Sequence, residues 1–106
     1  PIDAAKAVTV LARQGGKVRK YKGKGKIKDD CLPLITIPTT AGTGSEVTFS
    51  SVITDTKEKF KFTIKSTAIA AKTAIIDPEL TLTVPPMVTA ATGIDALFKK
   101  AYDDCN

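Results

Sequence analysis

At 106 residues, 42% hydrophobic and 25% charged, the chain has ordinary globular composition and room for one modest core. Its 16 Lys and Arg against 11 Asp and Glu leave a net charge of +5; it has no histidine, which excludes Ser-His-Asp and Cys-His catalysis and any His-ligated metal within these residues. No apolar run reaches membrane-spanning length and no signal peptide precedes the first helical pattern, while Cys31 and Cys105 show no disulfide framework or metal spacing, so both are expected as reduced thiols of a cytoplasmic protein.

The chain opens in a helical pattern. Ile2, Ala5, Val8 or Thr9, and Ala12 recur on one face. Pro1 suits the first helical position and Asp3 the first turn. Gln14-Gly15-Gly16 ends the helix, with one glycine as its cap. A basic run follows, in which Lys17, Arg19, Lys20, Lys22, Lys24, Lys26 and Lys28 arrive with no acid between Asp3 and Asp29. That run invites a nucleic-acid patch. Tyr21 is its sole aromatic, however, and Gly23 and Gly25 loosen it, so a solvated surface loop is the plainer reading.

The chain is organised around the next stretch. Leu32-Pro33-Leu34-Ile35-Thr36-Ile37-Pro38 predicts a short buried strand. It breaks into Thr39-Thr40-Ala41-Gly42-Thr43-Gly44-Ser45. Two glycines there allow a sharp turn and the close approach of a ligand, and hydroxyls with free backbone N–H groups surround it. Such turns after strands present donors to phosphate or ribose. The pattern is neither G-x-G-x-x-G nor a P-loop, so an ordinary strand and loop remains open.

Thr48 to Thr54 alternates as a strand, Asp55-Thr56-Lys57-Glu58 is a polar turn, and Lys59 to Lys65 alternates with Phe60, Phe62 and Ile64 on one face and lysines on the other. Together they predict a β-hairpin. Lys72 to Asp77 predicts another short buried strand, closed by Asp77-Pro78. Pro85-Pro86 opens a helix in which Val88, Ala91, Ile94 or Asp95, Leu97 or Phe98, and Ala101 recur. Gly93 inside it marks either a kink or a break between two helices.

Three blocks of these residues resemble the iron-containing (group III) alcohol dehydrogenase family, over residues 1 to about 98. Pro1-Ile2-Asp3-Ala4-Ala5-Lys6 resembles the helix that follows that family's Gly-Gly-Gly-Ser phosphate loop. Ile37 to Thr48, with Val52-Ile53-Thr54-Asp55 behind it, resembles the second cofactor-binding block. Asp77-Pro78-Glu79-Leu80-Thr81 through Pro85-Pro86 to Ala90-Ala91-Thr92-Gly93-Ile94-Asp95-Ala96-Leu97 resembles the run into the metal site.

The resemblance implies an α/β chain: the second half of a Rossmann-like nucleotide-binding domain over residues 1–84, carrying a β-hairpin, and the first helix of a truncated helical metal domain over 85–106. It implies NAD- or NADP-dependent interconversion of an alcohol and an aldehyde or ketone, in which iron or another divalent metal polarises the substrate oxygen. Thr39 and Thr40 would hydrogen-bond the cofactor near its phosphates, and Gly42, Thr43 and Gly44 would shape the turn. Thr48 and Lys61 would reach the ribose or phosphate side, though Lys61 equally suits the polar face of a hairpin. Leu80 would sit near the nicotinamide, and Asp95 would be the first metal ligand. The family pattern has a histidine four residues beyond that aspartate; here Lys99 stands there. Asp95 alone cannot hold a catalytic iron, so no metal is expected bound, no catalytic residue is assigned, and the chain by itself is expected to be an inactive internal piece and a homo-oligomer. Two other classes remain: a non-catalytic nucleotide-binding or interaction module, and a nucleic-acid binder working through residues 17–28.

Overall fold

The computed structural model describes residues 1–28 and 30–104, with the backbone alone at 100 and 102–104. The expectation of a reduced thiol at Cys105 lies outside the described residues; Cys31 is a free, half-buried thiol. The chain is mixed α/β. It divides into two compact units that do not follow chain order: residues 1–36 with 45–74, and residues 37–44 with 75–106.

In the first unit, helix α1 (Ile2–Gln14) ends where Gly15, at φ 67°, donates its N–H to the Leu11 carbonyl at 2.8 Å. Strand β3 (Ser50–Asp55) and strand β4 (Phe60–Lys65) form the predicted antiparallel hairpin, with Val52 opposite Thr63 and Ile53 opposite Phe62. Strand β1 (Gly23–Lys24) pairs parallel with β4, giving the order β1-β4-β3. Strand β2 (Ile35–Thr36) pairs parallel with β5 (Thr73–Ala74). The core joins Ala7 and Val10 of α1, Tyr21, Phe62 and Ile64 of β4, and Ile69. The alternation of the hairpin therefore holds where α1 covers it, and Phe60, beside the turn opposite Asp55, is partly exposed.

Several expectations are corrected. The inward face of α1 is Lys6, Ala7, Thr9 and Val10, while Val8 is 59% exposed and Ala12 is also outside. The apolar residues of a short helix do not choose the face when a lysine has buried acceptors to reach. The predicted buried strands at 32–38 and 72–77 shrink to two residues each, with Ile35 63% and Ile76 64% exposed. Leu34 and Lys72 extend the pairing by one bond, from Lys72 N–H to the Leu34 carbonyl at 2.9 Å. The basic segment is partly ordered. Val18–Tyr21 is a 3-10 turn, Gly23–Lys24 is in the sheet, and Tyr21 is buried with its hydroxyl donating to the Gly15 carbonyl at 2.8 Å.

In the second unit, Asp77 accepts the Glu79 N–H at 3.0 Å and starts a 3-10 turn, Pro78–Thr81. Helix α2 (Pro86–Asp104) then runs unbroken through Gly93. Val88, Ile94, Leu97 and Phe98 on it are exposed. No helix among the described residues is long and apolar enough to cross a membrane.

Candidate functional site

Lys6 is fully buried on α1. Its ammonium donates to the carbonyls of Ser45 (2.6 Å), Thr48 (2.7 Å) and Ser50 (3.0 Å) and to the Thr48 hydroxyl (3.0 Å). An ammonium has three protons, so four acceptors share them. One turn back, the Asp3 carboxylate accepts from the Ser45 hydroxyl and, at 2.9 Å, from the Val52 N–H, while the Ser51 hydroxyl donates to the Asp3 carbonyl at 2.7 Å. Burial pushes the Lys6 pKa below lysine's usual 10.5, and the nearby Asp3 and Glu46 carboxylates oppose that shift. This pair clamps the segment 45–52 onto α1 and so orders Thr48. Neither residue stood out in the sequence as a site residue. The available signal was a lysine between alanines, three residues after an aspartate, in the mostly apolar first two turns of α1.

Thr48, predicted to face the cofactor, thus has its hydroxyl engaged by Lys6. Lys61 is exposed on β4, opposite Thr54.

The second unit holds the turn. Thr39 and Thr43 are exposed and Thr40 half-buried. Gly42 has φ +140° and Gly44 φ +63°. A Cβ added to Gly42 would lie 2.0 Å from the Thr92 carbonyl oxygen of α2. This glycine therefore admits a helix backbone, where the sequence suggested the approach of a ligand. Leu80 lies in the 3-10 turn and is 39% exposed. Asp95 is paired with Lys99 one turn on, at 2.6 Å, and the same ammonium donates to the Thr43 carbonyl at 3.2 Å. Both side chains are about half exposed, so the pair adds only about 0.3–0.5 kcal/mol of stability.

An iron ion does not fit these residues. Among the described residues no group of three or more His, Cys, Asp or Glu could hold a metal, and the one candidate carboxylate is already paired with a cation. The nucleic-acid reading of residues 17–28 also weakens. Tyr21 is in the core and cannot stack on a base, and Arg19 is committed to Asp55 and, at 3.5 Å, to Glu58. Arg19, Asp55 and Glu58 line an open cleft of about 440 Å³ that also includes Lys17, Lys57 and Phe62 and none of the residues predicted to hold a cofactor or metal.

Hydrogen bonding from Arg19, then from the Glu58 and Lys57 N–H groups, lowers the Asp55 pKa from 3.8 to about 2 against an opposing burial effect. A depressed carboxylate stabilises the folded state above its unfolded pKa, and that contribution is lost as pH falls from 3.8 toward 2. Asp55→Asn is expected to flatten the fall in stability across this window, as read by urea unfolding at stepped pH. An unchanged slope would mean that Asp55 does not titrate as described.

A family model described as iron-containing alcohol dehydrogenase matches residues 1–78. The chain is 54% identical over 99 residues to choline dehydrogenase of Bacillus subtilis (strain 168), an alignment covering 91% of this chain and 25% of that protein. It superposes on the alcohol dehydrogenase from Oenococcus oeni with a TM-score of 0.89 at 36% identity, covering 94% of this chain and 26% of the other. For sulfoacetaldehyde reductase from Bifidobacterium kashiwanohense in complex with NAD+, the TM-score is 0.82 at 45% identity, covering 89% and 25%. The chain thus spans about a quarter of the length of the curated relatives it matches.

Proposed function

This chain belongs to the iron-containing alcohol dehydrogenase family, and we propose that it forms part of the nucleotide-binding region of an NAD(P)-dependent oxidoreductase that interconverts an alcohol and its aldehyde or ketone. The observation that carries this reading is the turn Thr39–Gly44: exposed hydroxyls beside two glycines at positive φ, in a chain similar to a reductase solved with NAD+. Hydroxyl and backbone N–H donors in such a turn are suited to phosphate oxygens.

In this reading Thr39, Thr40 and Thr43 donate to the cofactor's phosphates, with Gly42 and Gly44 keeping the turn in shape. Thr48 and Lys61 serve the ribose or phosphate side, Lys61 as a point charge. Leu80 offers an apolar contact for the nicotinamide ring, whose chemistry is to accept or give up a hydride. The Lys6–Asp3 clamp holds Thr48 in place, since the Thr48 carbonyl and hydroxyl both bond to Lys6. No step of the reaction is assigned to Asp95.

Titration calorimetry with NAD+ and NADP+ tests the reading. Saturable binding in the millimolar range is expected, about 4 kcal/mol. Thr39→Val should weaken it about tenfold, the loss of one hydrogen bond to a charged group. Thr39 is exposed, so the substitution leaves the fold alone. A chain that binds neither nucleotide at millimolar concentration, or a Thr39→Val variant that binds as well as the parent, would remove the proposal.

A further inference from the structure

We propose that the Lys99 ammonium is a built-in cation at Asp95, so that this aspartate is one half of an ion pair and does not take a divalent metal. The ammonium lies 2.6 Å from Asp95 Oδ2 and 3.2 Å from the Thr43 carbonyl oxygen. A carboxylate oxygen and a backbone carbonyl are the ligands that a hard cation takes, and here one side chain of the same chain already bridges them. The i, i+4 spacing on α2 puts Asp95 and Lys99 on one face, so the pairing needs no backbone adjustment.

A divalent ion at bonding distance from Asp95 would sit about 4 Å from the ammonium. Both side chains are about half exposed, so water's dielectric applies, and the repulsion still costs about thirtyfold in affinity. The same bond has a second effect. It ties the Thr43 carbonyl, and with it the turn that starts at Thr39, to α2 through the Lys99 side chain. Lys99 uses the backbone carbonyl of Thr43 and leaves its hydroxyl free for the nucleotide reading, so neither contact requires a bound nucleotide.

Paramagnetic broadening by Mn2+ tests it on the whole chain, with no nucleotide present. In the parent protein at millimolar Mn2+, amide signals of Ile94, Asp95 and Ala96 are expected to broaden no more than those of other exposed carboxylates. Lys99→Met should bring selective broadening there, with affinity raised about thirtyfold, and should shift the Thr43 and Gly44 amides. Lys99→Arg keeps a cation at the position and should stay silent to Mn2+. Asp95→Asn added to Lys99→Met should abolish the gain. Selective broadening at Asp95 in the parent overturns the proposal without reference to any variant. So does a Lys99→Met protein, folded by circular dichroism, that gains no Mn2+ binding.

Discussion

Replacing Lys6 with methionine is expected to destabilise the first unit by about 3 kcal/mol and to lower its melting temperature by about 10–20 °C. Methionine preserves the apolar stem, so the packing beside Ala7 and Val10 is kept while the donors are removed. The carbonyls of Ser45, Thr48 and Ser50 then lose the group that satisfies them. Each of these partly buried acceptors left short costs about 1–2 kcal/mol, below the full penalty of a wholly buried one. Relief from burying an ammonium, visible in the lowered Lys6 pKa, takes back part of that sum. The same lowering has a pH signature. The folded protein releases this proton before the unfolded chain does, so stability rises with pH just below 10.5 in the parent and not in the variant. Urea unfolding at neutral and alkaline pH reads both effects. A Lys6→Met protein within about 1 kcal/mol of the parent would mean that the clamp is dispensable.

Gly42→Ala is the second large effect, and it falls on the second unit. The added Cβ meets the Thr92 carbonyl oxygen at 2.0 Å and the carbonyl carbon at 2.5 Å, both backbone atoms of α2 that no rotamer change can move. The backbone angle of +140° is itself accessible to little but glycine. Strain of about 1–3 kcal/mol and a clash add together, so the turn must leave α2. Hydrogen exchange of the α2 amides near Thr92 should speed up by at least about a hundredfold, the equivalent of roughly 3 kcal/mol. Gly44→Ala is the control. Gly44 also has positive φ, at +63°, but a Cβ there meets nothing within 4 Å. Its cost is the left-handed strain alone, about 1–2 kcal/mol. Equal effects from the two substitutions would show that packing against Thr92 is not the reason for Gly42.

Much of this fold was readable from neighbouring residues. A glycine after Gln14 closes α1, the strand before Asp77-Pro78 does not run through it, and the alternation gives the buried face of β4 at Phe62 and Ile64. These signals are local, because caps, turns and pleats are set by residues one to four apart. The absence of histidine and the lysine four residues beyond Asp95 were equally plain. The two-residue strands β2 and β5 were misjudged because apolar composition predicts burial only where something covers it. Ile35 and Ile76 stay exposed among the residues described.

By itself the sequence determined the family, the hairpin and the two helices, and it placed Lys99 four residues beyond Asp95. The tertiary structure decided what those residues are for. It turned α1 so that Lys6 faces inward, toward acceptors 39 to 44 residues away, which no local pattern encodes. It gave Gly42 a helix carbonyl for a neighbour, and it set Lys99 on both Asp95 and Thr43, which is 56 residues away in sequence. The physical reason is range. Propensity acts over a few residues, whereas a buried charge or a missing Cβ is defined by whatever distant backbone folds against it.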